Sequence, residues 1–553
     1  MNSLRIPFRH IAIIALFAAV AVLPMVFRGM PGGNDVAQNY EFANTVVSSF
    51  RSGDLWVSFD GNANHGMGEV RLRVYPPLAY YALAGWFLLL GDWYVASLVV
   101  FFTIFLMGGI GMYLWGSEVS TTSVGLAVAA IYTFAPFHLN EIYNNFLYAQ
   151  FAAGAVLPFC FLFLHRVIKY GRIVDSLLLA VSFALLVTTH LPMTVIGSLS
   201  MAVFSLAAIR RSNLKNILWS ILAAAAGLIL SAFYWIRLLT EMKWAKHAQP
   251  QYFSEIWSYK VNFLISSRTF TDFMNDDLSL WFGDLLLTAT LLLCVPAIIA
   301  LFRFEREKQP FVPVLAMLAF AVFMVTPLST FVWDTFEPLQ KMQFPWRWMT
   351  VITLSASLIS GIGLVRLSNV LRTTNNRTIT VATAAAVLPF VLFSAFVIRA
   401  GAFTGRGEFN AQMETLGQKQ TYDGWWPVWV KSDAFARRKN VAAADRTVEI
   451  KKWLPASRSF TVGPGTEQDA EIKTFFYPHW KASVNGVETA IQRTTDGVIS
   501  LPIPVGLAEV QLTFVEPACL VAAKWVSVAA WMLVLPTLFG CIWIKRKSYG
   551  TYS

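Results

Sequence analysis

"GNDVAQNYEFANTVVSSF", residues 33–50, follows directly on the first strongly apolar run of the chain. Its acid, Asp35, has no charged neighbour before Glu41. Val36, Tyr40, Ala43, Val47 and Phe50 recur at helical spacing, with Asn39, Glu41 and Asn44 between them. That pattern reads as an amphipathic helix, either lying along a bilayer surface or packing on a helical bundle. A carboxylate at the mouth of a membrane helix is costly unless it works, so the reading of this stretch decides what kind of chain this is.

The bulk of the sequence answers with a membrane bundle. Of 553 residues 56% are hydrophobic and 14% charged, more apolar surface than a soluble domain can hide. The 20 Trp and 17 Tyr suit interfacial belts. The formal net charge of +11 sits largely in short clusters between apolar runs, "HRVIKYGR", "RRSNLK", "RFEREK" and "IKRKS". This is the positive-inside pattern rather than a basic stripe tracking phosphodiesters, and it argues against nucleic acid as a partner. The four Cys show no CxxC or Cys/His spacing, so neither a disulfide framework nor a zinc site is indicated. The N-terminal run, led by Arg5 and Arg9, lacks a good cleavage site and reads as a retained helix.

Twelve spans fit the length of a bilayer: 10–28, 94–115, 123–139, 149–166, 174–190, 192–209, 216–238, 280–303, 311–332, 347–366, 378–399 and 519–544. The basic clusters at 165–172, 210–215, 303–308, 366–377 and 545–547 then fall inside with both termini. Segments 29–76, 139–148, 239–279, 333–346 and 400–517 fall outside. "PPLAYYALAGWFLLLG", 76–91, is too short to span, and counting it would invert the sidedness; it reads as a re-entrant or surface-lying helix. Segment 400–517 changes period: "EVQLTF" alternates, and "VNG" and "TDG" carry hairpin signals. The expected fold is thus an all-α polytopic bundle with an extracytoplasmic β-sandwich-like domain. Its parts are 1–399, the β-rich 400–517, and 518–553 with the last helix and a basic cytoplasmic tail. A lid or stabiliser without chemistry is the plain role for the β-rich unit.

Outer acids are Asp35, Asp54, Asp60, Glu69, Glu141, Glu241 and Asp272. Asp35 and Glu141, the latter in the short loop "FHLNEIYNNF", stand out as a pair that could deprotonate an acceptor or hold a divalent cation. Taken singly, each acid is as well explained by a helix cap or a local ion pair. Outer bases are Arg71, Arg73, Arg237, Lys243, Lys246, His247, Arg268, Lys341 and Arg347. At headgroup depth the anion they meet is a phosphate, of a phospholipid or a polyprenyl carrier, though snorkelling accounts for most such residues. Arg347, behind a proline and between Trp346 and Trp348, is the most constrained. His190, in "VTTHLPM", lies where two apolar runs meet.

The ordered motifs carry a resemblance. "SGDLWVSFDGNANHGMGEVRLRVYPPLAYYALAG", "THLPM", "SAFYWIRLLTEMKW", "MQFPWRWM" and "FFYPHWKASVNG" follow the outer Asp in that order. The set resembles the bacterial membrane proteins labelled 6-pyruvoyl-tetrahydropterin-synthase-related. These are similar in turn to the GT-C glycosyltransferases, which include protein O-mannosyltransferases, the aminoarabinose transferase of lipid A and YfhO-type proteins.

The resemblance implies a GT-C-like bundle in the bacterial inner membrane with its active site on the outer face. It implies a polyprenyl-phosphate-linked sugar as donor and a cell-envelope glycan, lipid or protein as acceptor, with no cofactor required. Asp35 maps onto the family's catalytic base, and Glu141 and Glu241 onto its further acids. Tyr75 falls in its YPPL segment, and His190 and Arg347 match its His and Arg. Arg71, Arg73, Lys243 and Trp346 complete the expected donor-binding set. The chain departs from the family pattern at Asn39, where a His is common, and at Asn145 and Gln150, where an Arg and a Glu are common. Two other classes stay open: a flippase of lipid-linked saccharides, against which stands the lack of an internal repeat, and a non-catalytic assembly protein.

Overall fold

The computed structural model describes residues 6–274, 278–304, 311–374, 377–416 and 420–550. Of the residues named above, Arg5, most of the 303–308 cluster and the side chains of Asp272 and 545–547 lie outside the described residues. Among those described, nine helices are long and apolar enough to cross a membrane. A tenth is added if Val312–Val325 and Pro327–Thr335, bent by 90°, form one broken span. These correspond to all but two of the twelve expected spans. The two exceptions, Ile173–Thr189 and Leu191–Ala207, have 17 residues each, about 26 Å at the α-helical rise. Pro192 and the extended backbone of His190 separate them. The helix Leu78–Leu90 is a short one of 13 residues, ended by Gly91 in the left-handed region.

A further correction concerns 216–238. The helix Leu214–Leu230 stops at Ser231, and Ala232–Glu241 is a separate amphipathic helix burying Tyr234, Arg237, Leu238 and Glu241 along one face. Glu241 therefore hangs from a helix docked outside the span. The helix Val36–Arg51 also settles into one of its two readings. It buries Tyr40, Phe42, Ala43, Val46 and Val47 in the main core, against Tyr80 and Trp93, so it packs on the bundle rather than lying free on a surface.

The β-rich unit is a sandwich. Strands β1 (Met30–Pro31) and β2 (Phe403–Thr404) pair first-loop residues with the start of the unit. Then β3 (Val441–Ala442), β4 (Val448–Leu454), β5 (Ser457–Val462), β6 (Asp469–Phe475), β7 (Trp480–Val484), β8 (Val487–Thr489), β9 (Gln492–Arg493), β10 (Val498–Pro502) and β11 (Ala508–Phe514) form two antiparallel sheets. Their orders are β3-β6-β10-β9 and β4-β5-β11-β7-β8. Strict alternation buries Ala508, Val510, Leu512 and Phe514 along β11, and residues from both sheets share one core.

Contacts sort the connections to opposite ends of the bundle. Met67 accepts from Phe475 N–H, Trp426 accepts from Lys246 N–H, and Gln343 donates to Tyr252 O, so the segments expected outside meet one another. At the other end Arg166 is buried against Glu118 and Asp175, and Asn216 donates to Ile168 O.

Candidate active site

Three glycines bring the chain from the first span to the site. Gly29 lies against the Thr404 backbone, and Gly32 N–H bonds Ala402 O at 2.8 Å. Gly33, at φ +151°, passes so close to the 145–146 backbone that a Cβ there would stand 2.7 Å from the Asn145 carbonyl carbon. Two residues on, Asp35 opens the helix Val36–Arg51, but its carboxylate makes no capping hydrogen bond. No ion pair to Asp35 is found among the described residues, so neither plain reading of this acid holds. Burial pushes its pKa above the ordinary aspartate value, and the charge of Arg347 partly opposes that rise.

Asn39 explains itself in this setting. Its Nδ2 donates to Asp35 O at 2.7 Å and to Phe146 O at 3.2 Å, while its Oδ1 accepts from Tyr80 hydroxyl at 2.9 Å. The side chain ties the acid's backbone to the 144–148 turn and to the helix Leu78–Leu90.

Asp35 shares its field with Arg347, Tyr75 and Tyr80, and Arg347 in turn acts on His190 and His247. Arg347 Nη1 donates to Met342 O at 2.9 Å, and the guanidinium sits over the rings of Phe344 and Trp346, which stack on each other at 5.1 Å. No carboxylate pairs with it among the described residues. His190 caps the helix Leu191–Ala207 by accepting Met193 N–H on Nδ1, which leaves the ring proton on Nε2. Tyr75 packs on Phe42, at 4.9 Å, and edge-on to Trp425, at 5.5 Å.

The other expected site residues lie elsewhere. Glu141 is not in an exposed loop: the helix Pro136–Tyr143 is wholly buried. The Glu141 carboxylate accepts from Gln150 Nε2 at 2.8 Å and Thr350 hydroxyl at 3.0 Å and meets His138 Nδ1 at 3.1 Å, so Asp35 is not its partner. Among the described residues no three His, Cys, Asp or Glu side chains group as a metal site would need. Arg71 is neutralised by Glu41 and Glu69. Arg73 is buried between Glu241, at 2.5 and 2.6 Å, and Glu516, at 2.6 and 3.0 Å. Glu241 also accepts from Tyr477 hydroxyl and His479 Nε2, so this group fastens the sandwich to the bundle. Lys243 is exposed beside Trp244. Glu516, His138, Thr350 and Trp425 were not selected from the sequence. The Trp-rich "DGWWPVW" at 423–429 is the one signal that marks Trp425 in advance.

Next to the site, an apolar cavity of about 390 Å³ runs between the helices Leu78–Leu90, Trp93–Val119, Tyr148–Tyr170 and Ile173–Thr189. Tyr148 and Thr189, the neighbour of His190, line it at one end, Phe159 and Phe163 further along, and exposed Trp86 and Met107 on its flank.

A model of the 6-pyruvoyl-tetrahydropterin synthase related domain, a membrane-protein domain, matches residues 72–400. The chain belongs to this family. Its match begins just before Arg73 and takes in His190, Glu241 and Arg347. An uncharacterized protein of Lactococcus lactis subsp. cremoris is 25% identical over 257 residues, 44% of this chain. The matched region is 41% of that protein, so this 6-pyruvoyl-tetrahydropterin-synthase-related chain spans well under half the length of the curated relative it matches. Among solved structures, ArnT from Cupriavidus metallidurans bound to undecaprenyl phosphate is similar at 13% identity and TM-score 0.41, over 73% of this chain and 75% of ArnT. The Archaeoglobus fulgidus oligosaccharyltransferase tethered with an acceptor peptide is similar at 13% identity and TM-score 0.44, over 75% of this chain and 59% of that one.

Proposed function

We propose that this protein is a membrane glycosyltransferase that moves a sugar from a polyprenyl-phosphate donor to an acceptor hydroxyl on the outer face of the bacterial inner membrane, with inversion. The observation that carries the reading is an unengaged carboxylate, Asp35, lying within the field of a guanidinium, Arg347, that no carboxylate pairs with among the described residues. The resemblance to GT-C enzymes supports it, as does the apolar cavity, which has the chemistry to take a prenyl tail.

Asp35 takes the proton of the acceptor hydroxyl as that oxygen bonds the anomeric carbon. The bond from that carbon to the phosphate oxygen breaks, and the carrier leaves as a phosphate monoester with one more negative charge than the donor carried. Arg347 and His190 Nε2–H face the charge that grows in this step, so their contribution is larger in the transition state than in the ground state. The raised pKa of Asp35 suits a base better than a fully solvated aspartate would.

The test is Asp35→Asn, which keeps size and loses basicity. Turnover of undecaprenyl-phosphate sugars by the purified protein should fall by about 10²–10⁴, the usual worth of a general base. Retention of full turnover sinks the assignment, and movement of donor across vesicles without turnover points to a flippase instead.

A further inference from the structure

Three polar groups near Asp35 are buried and have no hydrogen-bond partner among the described residues: Arg347 Nε, His247 Nδ1 and Trp425 Nε1. They come from three separate parts of the chain: two of them, His247 and Trp425, are in ring contact, and the third acts on His247 through its charge. His247 lies within the electrostatic reach of Arg347, and its ring is 5.0 Å from that of Trp425. Trp425 in turn meets Tyr75, which shares the fields of Arg347 and Asp35. Buried polar groups left unsatisfied each cost free energy, and an acceptor-only ligand satisfies all three, drawing the imidazole proton to Nδ1.

We propose that Trp425 and His247 are phosphate-binding residues of the site, so that the 400–517 unit completes the cradle for the phosphate of the polyprenyl carrier. The inference rests on the glycosyltransferase reading and adds the two residues to it. Trp425 Nε1–H and the guanidinium are donors only, and a neutral imidazole offers one N–H; phosphate oxygens are acceptors only. His247 is neutral at physiological pH, because burial and then the charge of Arg347 pull its pKa down to about 4.

Trp425 is held for this task from both sides. Before it, Thr421 N–H donates to Asn64 Oδ1 at 2.9 Å and the Thr421 hydroxyl to Glu69 at 2.5 Å. After it, Trp426 O accepts from Lys246 N–H, and Val428 N–H donates to Trp244 O, both at 2.9 Å. The segment is thus clamped to the first outer loop and to the loop that carries His247.

The experiment measures the affinity of the full-length protein in nanodiscs for undecaprenyl phosphate and for inorganic phosphate. The variants are Trp425→Phe and His247→Phe, which keep an aromatic ring and delete the polar atoms, and Arg347→Gln. Each Phe variant should bind undecaprenyl phosphate about tenfold more weakly, as loss of a hydrogen bond to a charged group requires. Their melting temperatures should match the parent's. Phe variants that bind within twofold of the parent, while Arg347→Gln loses binding, overturn the cradle and leave the glycosyltransferase reading standing. A parent protein with no affinity for undecaprenyl phosphate overturns both. Inorganic phosphate that binds as tightly as the lipid overturns the assignment to a membrane carrier.

Discussion

Arg347 differs from the arginines buried in the bundle by the company it lacks. Arg71, Arg73, Arg166 and Arg237 each face at least one carboxylate. Arg458 shares the want of a partner, but it is enclosed in the sandwich between Trp453 and Trp480, and burial brings its pKa down to about 9. Arg347 alone among these combines an open charge with a nearby acid, and the two are coupled. As the proposed base Asp35 would have to be ionised, so activity is expected to rise as pH passes its pKa, and Arg347 holds that pKa lower than burial alone would. Arg347→Gln should therefore displace the acid limb of kcat/KM to higher pH and cost about a hundredfold in rate at neutral pH. A limb that stays in place, or goes lower, breaks the proposed coupling. At this scale the sequence was partly legible. Asp35 and Arg347 stood out by position, whereas Arg71 and Arg73 looked equally free. Arg73 is neutralised from 168 and 443 residues away, distances at which local pattern says nothing.

Among the elements, the spans and the sandwich were readable because each repeats a simple period, 3.6 in the helices and 2 along β11. The turn at 139–148 was not, because "NEIYNN" is polar yet buried through Tyr143 and half-buried at Asn144 and Asn145. Its polarity is spent inward, Glu141 on Gln150, Thr350 and His138. Thr350 is one helical turn past Arg347, so Glu141 braces the element that carries the guanidinium. The opposite wall depends on Gly33. Gly33→Ala meets the 145–146 backbone at a distance no Cβ occupies, in a backbone conformation that L-residues avoid. The strand-to-helix corner must then shift and Asp35 with it. Catalysis should drop by about two orders of magnitude, as a misplacement near 1 Å does, while the far sandwich keeps its native protection in hydrogen exchange. Wild-type activity in this variant argues that the corner does not place the acid.

The whole molecule is joined by the Arg73 group. Burial works against ionisation of Glu241 and Glu516, but hydrogen bonds and charge from Arg73, with His479 at Glu241 and Arg237 and Lys524 at Glu516, win and bring both pKa values down to about 2. A depressed carboxylate pKa adds stability that is complete above the ordinary glutamate value of 4.5 and disappears as pH falls toward 2. The melting temperature should fall across that window, and the junction of sandwich and bundle should open first to an acid protease. Arg73→Met should cost about 3–5 kcal/mol at neutral pH by stranding two buried acids and should flatten the acid dependence. A parent curve already flat between those pH values removes this role.

The clamp on Trp425 also has a meaning for biosynthesis. Asp35 leaves the ribosome almost four hundred residues before Trp425, and the pairing of β1 with β2 waits for Phe403. Until then the acid's loop lacks its β partner and the proposed cradle lacks Trp425. On the proposed reading, assembly thus acts as its own safety catch: the site is complete only once the chain has been made past Trp425, with a single apolar helix, Ala518–Gly550, still to come.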